Sequence, residues 1–562
     1  MTTNQPTGAE AMVEMLAAHE VRHIFGLCGD TSLPFYDALA RLNHGMTHIL
    51  TRDERHAAYM ADAYARVTGL PGVCEGPSGG GATYILPGLV EANESSVPIL
   101  AITTDVATTS AGRYPLTELD QEALFRPLTK WNGVIPDAGL LPRMVRKAFR
   151  EMCSGRPGAA HLGLPFDVQK AEVPQDEIWA DARHSAFPST RTAADQAEIE
   201  RMAEALDAAE RPVIVCGGGV VLSGAMDELE AVATAIGAPV CTTVSGQGSM
   251  AETHPFCVGV VGSNGGRPAT RAVVDEADCV LFVGCRAGSV TTERWRSPAP
   301  SARILHIDAD PAVIGACYNT YAGVAADAKL GLSDLRLALD LLGAKPGDGA
   351  VRAAAARKAK WAEFQALATS NDAPIKPERV IAELNAVLPD DAVVCADPGT
   401  PCPYFSAWYE WRKPGRQFIT NRAHGALGYA LGASVGAQIG RPNAKVVAAL
   451  GDGSFGMSVG ELETIRRLDL PITIIVFSNA VFGWIKAGQK SGFGERYFSV
   501  DFSRTDHAAV AAAYGLKTWT VEDPRQLAQT LKAAIAHDGP TLVDIVAQPL
   551  QDAAAPVSEW VA

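Results

Sequence analysis

With 562 residues the chain is too long for one hydrophobic core, and a net charge of −15 argues against nucleic acid or any other polyanionic partner. Hydrophobic residues make up 47% and the mean hydropathy is +0.05, which excludes a disordered chain. No apolar run reaches the length of a membrane span, so no membrane partner is expected.

In chain order the expected elements alternate between helix and strand. Met1 to Glu10 shows neither a charged n-region nor an apolar h-region, and a cytoplasmic location is expected. Ala9 to His19 is patterned as a helix and Val21 to Leu27 as a strand. Glu54 to Thr68 reads as an amphipathic helix stopped by Gly69. Strands follow at Gly72 to Glu75, Val97 to Thr103 and Ala159 to Leu164, completing a first domain over 1–182. The polar, Pro-containing stretch Arg183 to Asp195 reads as a linker. A second domain, 195–343, holds strands at Pro212 to Cys216, Cys279 to Val283 and Arg303 to Ile307. Loops at Ala344 to Gly349 and Thr369 to Pro377 precede a third domain, 375–562, with strands at Ala444 to Leu450 and Ile472 to Phe477. This alternation predicts an α/β fold of three doubly wound parallel-sheet domains. Eleven Cys stand singly, with no C-x-x-C pair and an odd count, so reduced, buried thiols are expected rather than disulfides.

The third domain carries the densest chemistry. Its first strand leads into Gly451-Asp452-Gly453-Ser454-Phe455, and its second into Ser478-Asn479-Ala480-Val481. Two neighbouring parallel strands with these ends place one carboxylate and one amide where open α/β sheets bind ligands. Such a donor set is too small for a protein-only magnesium cage but suits an ion that also holds a diphosphate. Gly453 permits close backbone approach, and the amides of Ser454 and Phe455 open a helix toward the phosphates.

These two segments resemble the thiamine-diphosphate motif, GDG followed by an NN pair, and the resemblance runs over almost the full length. Arg52-Asp53-Glu54-Arg55-His56-Ala57-Ala58-Tyr59-Met60-Ala61 is similar to the E-x-x-A-A-x-M-A segment of thiamine-diphosphate decarboxylases and carboligases. The resemblance makes Glu54 the catalytic carboxyl, bonded to N1′ of the cofactor's pyrimidine so that the cofactor's own amino group acts as base. An apolar pocket that raises its pKa suits that role. His56 lies two positions on, nearly on the opposite helix face, and a packing or surface role is expected. Gly425-Ala426-Leu427-Gly428 resembles the family's G-x-M-G. Leu427 matches the wedge between the cofactor's rings, and the Gly425 carbonyl the group that holds the amine. Asp397-Pro398-Gly399-Thr400 resembles the loop that grips the diphosphate from the other side. The loop from Pro77 to Tyr84 is two residues longer than the family's G-P-G-A-T-N. Asp452 and Asn479 match the side-chain ligands of Mg2+, and Val481 its carbonyl ligand. Ser478 stands where the first Asn of the pair is usual.

The second domain looks like the central domain of acetohydroxyacid synthases and their relatives, through Arg211-Pro212-Val213-Ile214, Gly284-Cys285-Arg286 and His306 to Pro311. That implies a place for FAD or ADP at Gly217, Gly218 and Arg286. The loop Arg286-Ala287-Gly288-Ser289 replaces a longer one, and a vestigial domain is an equal reading. Cys28, Thr117 and Lys130 match the family's substrate side, with Thr117 in place of a Gln. Phe482 and Trp484 follow the metal segment toward the acceptor. The resemblance implies an acetolactate-synthase-like carboligase or decarboxylase for a small-molecule 2-keto acid, dependent on thiamine diphosphate and magnesium. It also implies a homodimer or homotetramer with active sites at subunit interfaces. One alternative is an oxalyl-CoA decarboxylase or 2-hydroxyacyl-CoA lyase type of enzyme, with the terminal stretch Gln548 to Ala562 as a mobile cover. From another class come a flavin-dependent oxidase of the same fold and a non-catalytic homologue. The latter should have lost Glu54 or Asp452, and both are present.

Overall fold

The computed structural model describes residues 5–560. The first four residues, part of the segment read for a targeting signal, and the last two of the terminal stretch lie outside the described residues.

The strands form three six-stranded sheets, and every pairing is parallel. In the first, β1 (His23–Gly26), β2 (Thr47–Leu50), β3 (Gly72–Gly76), β4 (Ile99–Asp105), β5 (Trp131–Val134) and β6 (Ala160–Pro165) lie in the order β2-β1-β3-β4-β6-β5. The second contains β7 (Pro212–Cys216), β8 (Val240–Thr242), β9 (Cys257–Val260), β10 (Cys279–Val283), β11 (Arg303–Asp308) and β12 (Thr320–Ala325). Their order is β12-β11-β10-β7-β8-β9. The third contains β13 (Val393–Ala396), β14 (Phe418–Thr420), β15 (Val446–Gly451), β16 (Thr473–Ser478), β17 (Lys517–Val521) and β18 (Thr541–Val546). Their order is β14-β13-β15-β16-β18-β17, the same permutation as in the first sheet. The chain changes direction of winding between β1 and β3, between β7 and β10, and between β13 and β15, and ligand crevices open at such switch points. Strands β4, β15 and β16 are buried without alternation because parallel strands are covered on both faces.

Packing gathers the chain into two compact units. The first runs to Thr190 and takes in Asn421–Asn443 and Ser458–Leu468; the second holds the remainder. The first unit therefore includes two pieces of the third sequence block, and the first of them is held by a glycine stripe. Helix Tyr429–Gly440 presents Gly432, Gly436 and Gly440 at every fourth position, along helix Glu54–Thr68. A Cβ at Gly436 would lie 2.0 Å from the Met60 carbonyl oxygen, and one at Gly432 would lie 2.9 Å from the His56 ring. Helix Glu54–Thr68 keeps the limits read from sequence: Asp53 caps it by accepting the Arg55 amide, and Gly69 ends it at φ 78°.

No disulfide forms among the described residues, and every Cys is buried except exposed Cys28 and half-buried Cys317. Among the described residues no helix is long and apolar enough to cross a membrane.

Candidate active site

In the second unit, β13, β15 and β16 run side by side, with Ala396 opposite Ala449 and Gly451 opposite Phe477. Their carboxyl ends release three segments at one edge of the sheet: Asp397 to Thr400, Gly451 to Phe455, and Ser478 to Phe482. Asp452 begins helix Asp452–Ser458 directly after β15. Its Oδ2 accepts the amides of Asn479 at 2.7 Å and Ala480 at 2.6 Å, and its Oδ1 accepts that of Gly453 at 2.9 Å. Burial pushes the Asp452 carboxyl up, and the three amides pull it back. With only one of these bonds, Oδ1 keeps a lone-pair site for a cation.

The neighbouring turn is tightly bent. Ala480 sits at φ 56°, in the left-handed region that a residue with a Cβ seldom adopts. The Asn479 side chain ends in a buried Nδ2 without a hydrogen-bond partner. Its amide oxygen and nitrogen can exchange places, so an oxygen can occupy that position. A carboxylate oxygen, an amide oxygen and the Val481 carbonyl form a hard donor set that fits Mg2+. A Cβ on Gly453 would lie 2.7 Å from the Phe482 ring, so only Gly lets that ring close over the segment.

Sequence reasoning missed the support below this edge. Ser478, in the place of the usual Asn, has its Oγ 3.4 Å from Nδ1 of His507, which also lies 3.3 Å from the Asp544 carboxylate. The His507 ring meets Phe455 edge-on at 5.2 Å. Trp484 packs edge-on against Trp560 at 5.2 Å. In the middle sheet the glycine run meets backbone: Cβ atoms would lie 2.1 Å from the Gly284 oxygen at Gly217 and 2.6 Å from the Gly284 Cα at Gly219. Gly218 faces Ser245, and Arg286 is exposed beside this crevice.

In the first unit Glu54 is 6% exposed at the first turn of its helix. It faces the end of β3 and the segment that follows, where a Cβ at Gly76 would lie 3.3 Å from its Cγ and one at Gly81 3.1 Å from its Oε1. A Cβ at Gly81 would also lie 2.4 Å from Pro77. These two glycines, unremarked in the sequence, make the room the carboxyl occupies. Burial raises the pKa of Glu54, and the charges of Asp53 and Glu75 add to the effect. His56 is buried, with Nε2 3.2 Å from the Gly428 carbonyl and Nδ1 3.2 Å from the Glu461 carboxylate. Glu461 also accepts the Arg52 amide at 2.9 Å and so fixes the turn that leads into Glu54.

Gly425 is exposed and Leu427 half-buried on the segment before helix Tyr429–Gly440. Cys28 is exposed after β1, on the same sheet edge as Glu54. Thr117, at φ 71°, bonds Ser78 at 2.7 Å; Ser78 in turn bonds Thr31 at 3.1 Å. Lys130 precedes β5, at the amino end of the sheet, and donates to the Ser154 carbonyl at 2.6 Å. The structure does not bring it to Glu54.

A buried Asp, an unpartnered Asn side-chain nitrogen and, separately, a buried helix-start Glu stand where the sequence resemblance implies an enzyme class that holds a diphosphate cofactor. Family comparison gives the same class. The N-terminal thiamine pyrophosphate (TPP) binding domain of thiamine pyrophosphate enzymes matches residues 6–124, their central domain 199–335, and their C-terminal TPP binding domain 399–545. A probable acetolactate synthase large subunit of Methanococcus aeolicus is 35% identical, over 96% of this chain and 92% of its own. That of Methanocaldococcus jannaschii is 36% identical, over 97% and 92%. The acetolactate synthase isozyme 2 large subunit of Escherichia coli is 31% identical, over 97% and 96%. The chain belongs to the thiamine pyrophosphate enzyme family, on its acetolactate-synthase-like branch. It is a thiamine-diphosphate-dependent enzyme that forms or cleaves carbon–carbon bonds.

Proposed function

We propose that the chain is a magnesium-dependent carboligase or decarboxylase that acts on a 2-keto acid. The observation that carries this reading is the edge formed by Asp452, Asn479 and Val481, combined with buried Glu54. When bound, thiamine diphosphate supplies a nucleophilic carbon and an electron sink for loss of carbon dioxide. Asp452, Asn479 and the Val481 carbonyl would hold the magnesium that anchors the diphosphate, with Gly399, Thr400, Gly451, Ser454 and Phe455 lining the same edge. Glu54, with its pKa raised, would hold a proton at its carboxyl against N1′ of the pyrimidine. Leu427 would set the bend of the cofactor and the Gly425 carbonyl would receive its amine. Phe482, closed over Gly453, would exclude water from the acceptor side.

The names of the relatives favour two 2-keto acid substrates over a CoA thioester. Thr117 and Cys28 supply small groups on the substrate side, so we infer a pocket reshaped from the common synthase. Tyr114 is 96% exposed and Leu116 86%, which supports a second copy covering this segment in a homodimer or homotetramer. We assign no flavin step to the middle sheet, because Gly217 and Gly219 are explained by their contact with Gly284. A purified chain with flavin absorbance would overturn that point.

The decisive assay follows carbon dioxide release from pyruvate, glyoxylate and oxalyl-CoA separately, with magnesium and thiamine diphosphate present. Turnover of oxalyl-CoA alone would replace this reading with the CoA one. Glu54→Gln should abolish proton exchange at the thiazolium carbon while cofactor affinity stays within a few-fold; undiminished exchange would remove Glu54 from its role.

A further inference from the structure

A buried carboxylate outside the recognised motifs ties the Gly425–Leu427 segment to the helix that begins with Glu54. Glu91, on helix Leu86–Glu94, is 0% exposed. Its Oε2 accepts the backbone amides of Ala423 at 3.1 Å and His424 at 2.7 Å. Its Oε1 accepts Arg66 Nη2 at 3.1 Å and Ser95 Oγ at 2.6 Å. Arg66 Nε also binds Asp62 at 2.9 Å, and Asp62 accepts the Tyr429 hydroxyl. One connected network thus joins helix Glu54–Thr68, helix Leu86–Glu94 and both ends of the segment 423–429. Two carboxylates share one guanidinium here, and the excess negative charge is met by the two amides, which have fixed directions.

We propose that Glu91 is a positioning residue that fixes the backbone of residues 423–428, and through it the Gly425 carbonyl and the Leu427 side chain, in register for the cofactor. The part that concerns the cofactor rests on the function proposed above. The part that concerns the backbone does not. An Ala at 91 leaves the Ala423 and His424 amides and Arg66 without this partner. An Asp keeps the charge but withdraws it by one methylene from the 423 and 424 amides. A Gln can turn its single oxygen to both amides and keep the segment in place.

Amide hydrogen exchange of the full chain, read by mass spectrometry without cofactor, tests the backbone claim. In Glu91→Ala and Glu91→Asp, peptides covering 421–428 should exchange roughly 10- to 100-fold faster, as expected for loss of charge-assisted bonds. Peptides from β15 should not change, and Glu91→Gln should keep most of the protection. Unchanged exchange at 421–428, or equal loosening across the chain, would overturn the proposal. If Glu91→Ala does not fold, the Asp and Gln variants still decide. With thiamine diphosphate and magnesium, Glu91→Asp should slow proton exchange at the thiazolium carbon roughly tenfold or more, with a smaller change in cofactor affinity. If the unaltered chain binds no cofactor, the proposed function fails while the exchange result still judges Glu91.

Discussion

Gly436→Ala probes the packing that keeps Leu427 and Glu54 on one rigid unit. The added methyl would meet the Met60 carbonyl oxygen at 2.0 Å, its carbon at 2.7 Å and its Cα at 2.8 Å. All three belong to the backbone of helix Glu54–Thr68, which has no rotamer with which to yield. To restore ordinary contact the two helices must part by about 1 Å, which forfeits a quarter to a half of the dispersion energy along the stripe. Overpacking of this kind costs about 1–3 kcal/mol, and a backbone obstacle puts it at the upper end. Replacing Gly by Ala in a helix returns about 1 kcal/mol. The net loss is about 2 kcal/mol, a fall in Tm of roughly 4–8 °C for a unit of this size. Thermal unfolding followed by circular dichroism measures it. Gly456→Ala, in a helix with nothing within 4 Å of the new methyl, is the control and should melt no lower than the parent. A Gly436→Ala chain as stable as the parent would refute the close approach of the two helices.

Two further outcomes follow from buried carboxylates. Asp452→Asn must turn an NH2 toward either the Gly453 amide or the Asn479 and Ala480 amides; the cheaper choice loses one charge-assisted bond, about 1.5–3 kcal/mol. Melting in metal-free buffer should show that loss, and added magnesium should no longer raise Tm. Glu378, 2% exposed, is pushed up by burial from 4.5 to about 7. Its folded form keeps a proton that the unfolded chain releases, so stability should fall as pH rises from 4.5 through about 7 and then level off, a loss of about 3 kcal/mol. Glu378→Gln should flatten that part of the profile in denaturant titrations; an unchanged slope would show that Glu378 ionises normally.

Much of the site is legible in the sequence because it sits at strand ends with strong local signals. The apolar run into Gly451 and Asp452, the helix Glu54 to Thr68 and the Gly69 stop each need only neighbouring residues to be read. Edge strands such as β2 and β14 are short and partly polar, and their pairing is set by the sheet rather than by their own pattern. The stripe Gly432, Gly436, Gly440 was visible at helical spacing, but the helix it opposes is some 380 residues away in sequence and no local rule selects it. Glu91, Glu461 and His507 escaped for the same reason: each acts on a backbone or side chain brought near by the tertiary fold. Lys130 shows the converse, a residue whose local match does not carry it to the carboxyl edge. Gly76 and Gly81 carry no local signal of their role, which shows only once the Glu54 side chain is placed beside them.

Calorimetric titration of thiamine diphosphate into the purified full-length chain, with and without magnesium, tests the central claim most directly. The account predicts saturable binding at one cofactor per chain that magnesium strengthens and Asp452→Asn abolishes. Absence of any binding heat from a folded chain with magnesium present would contradict it.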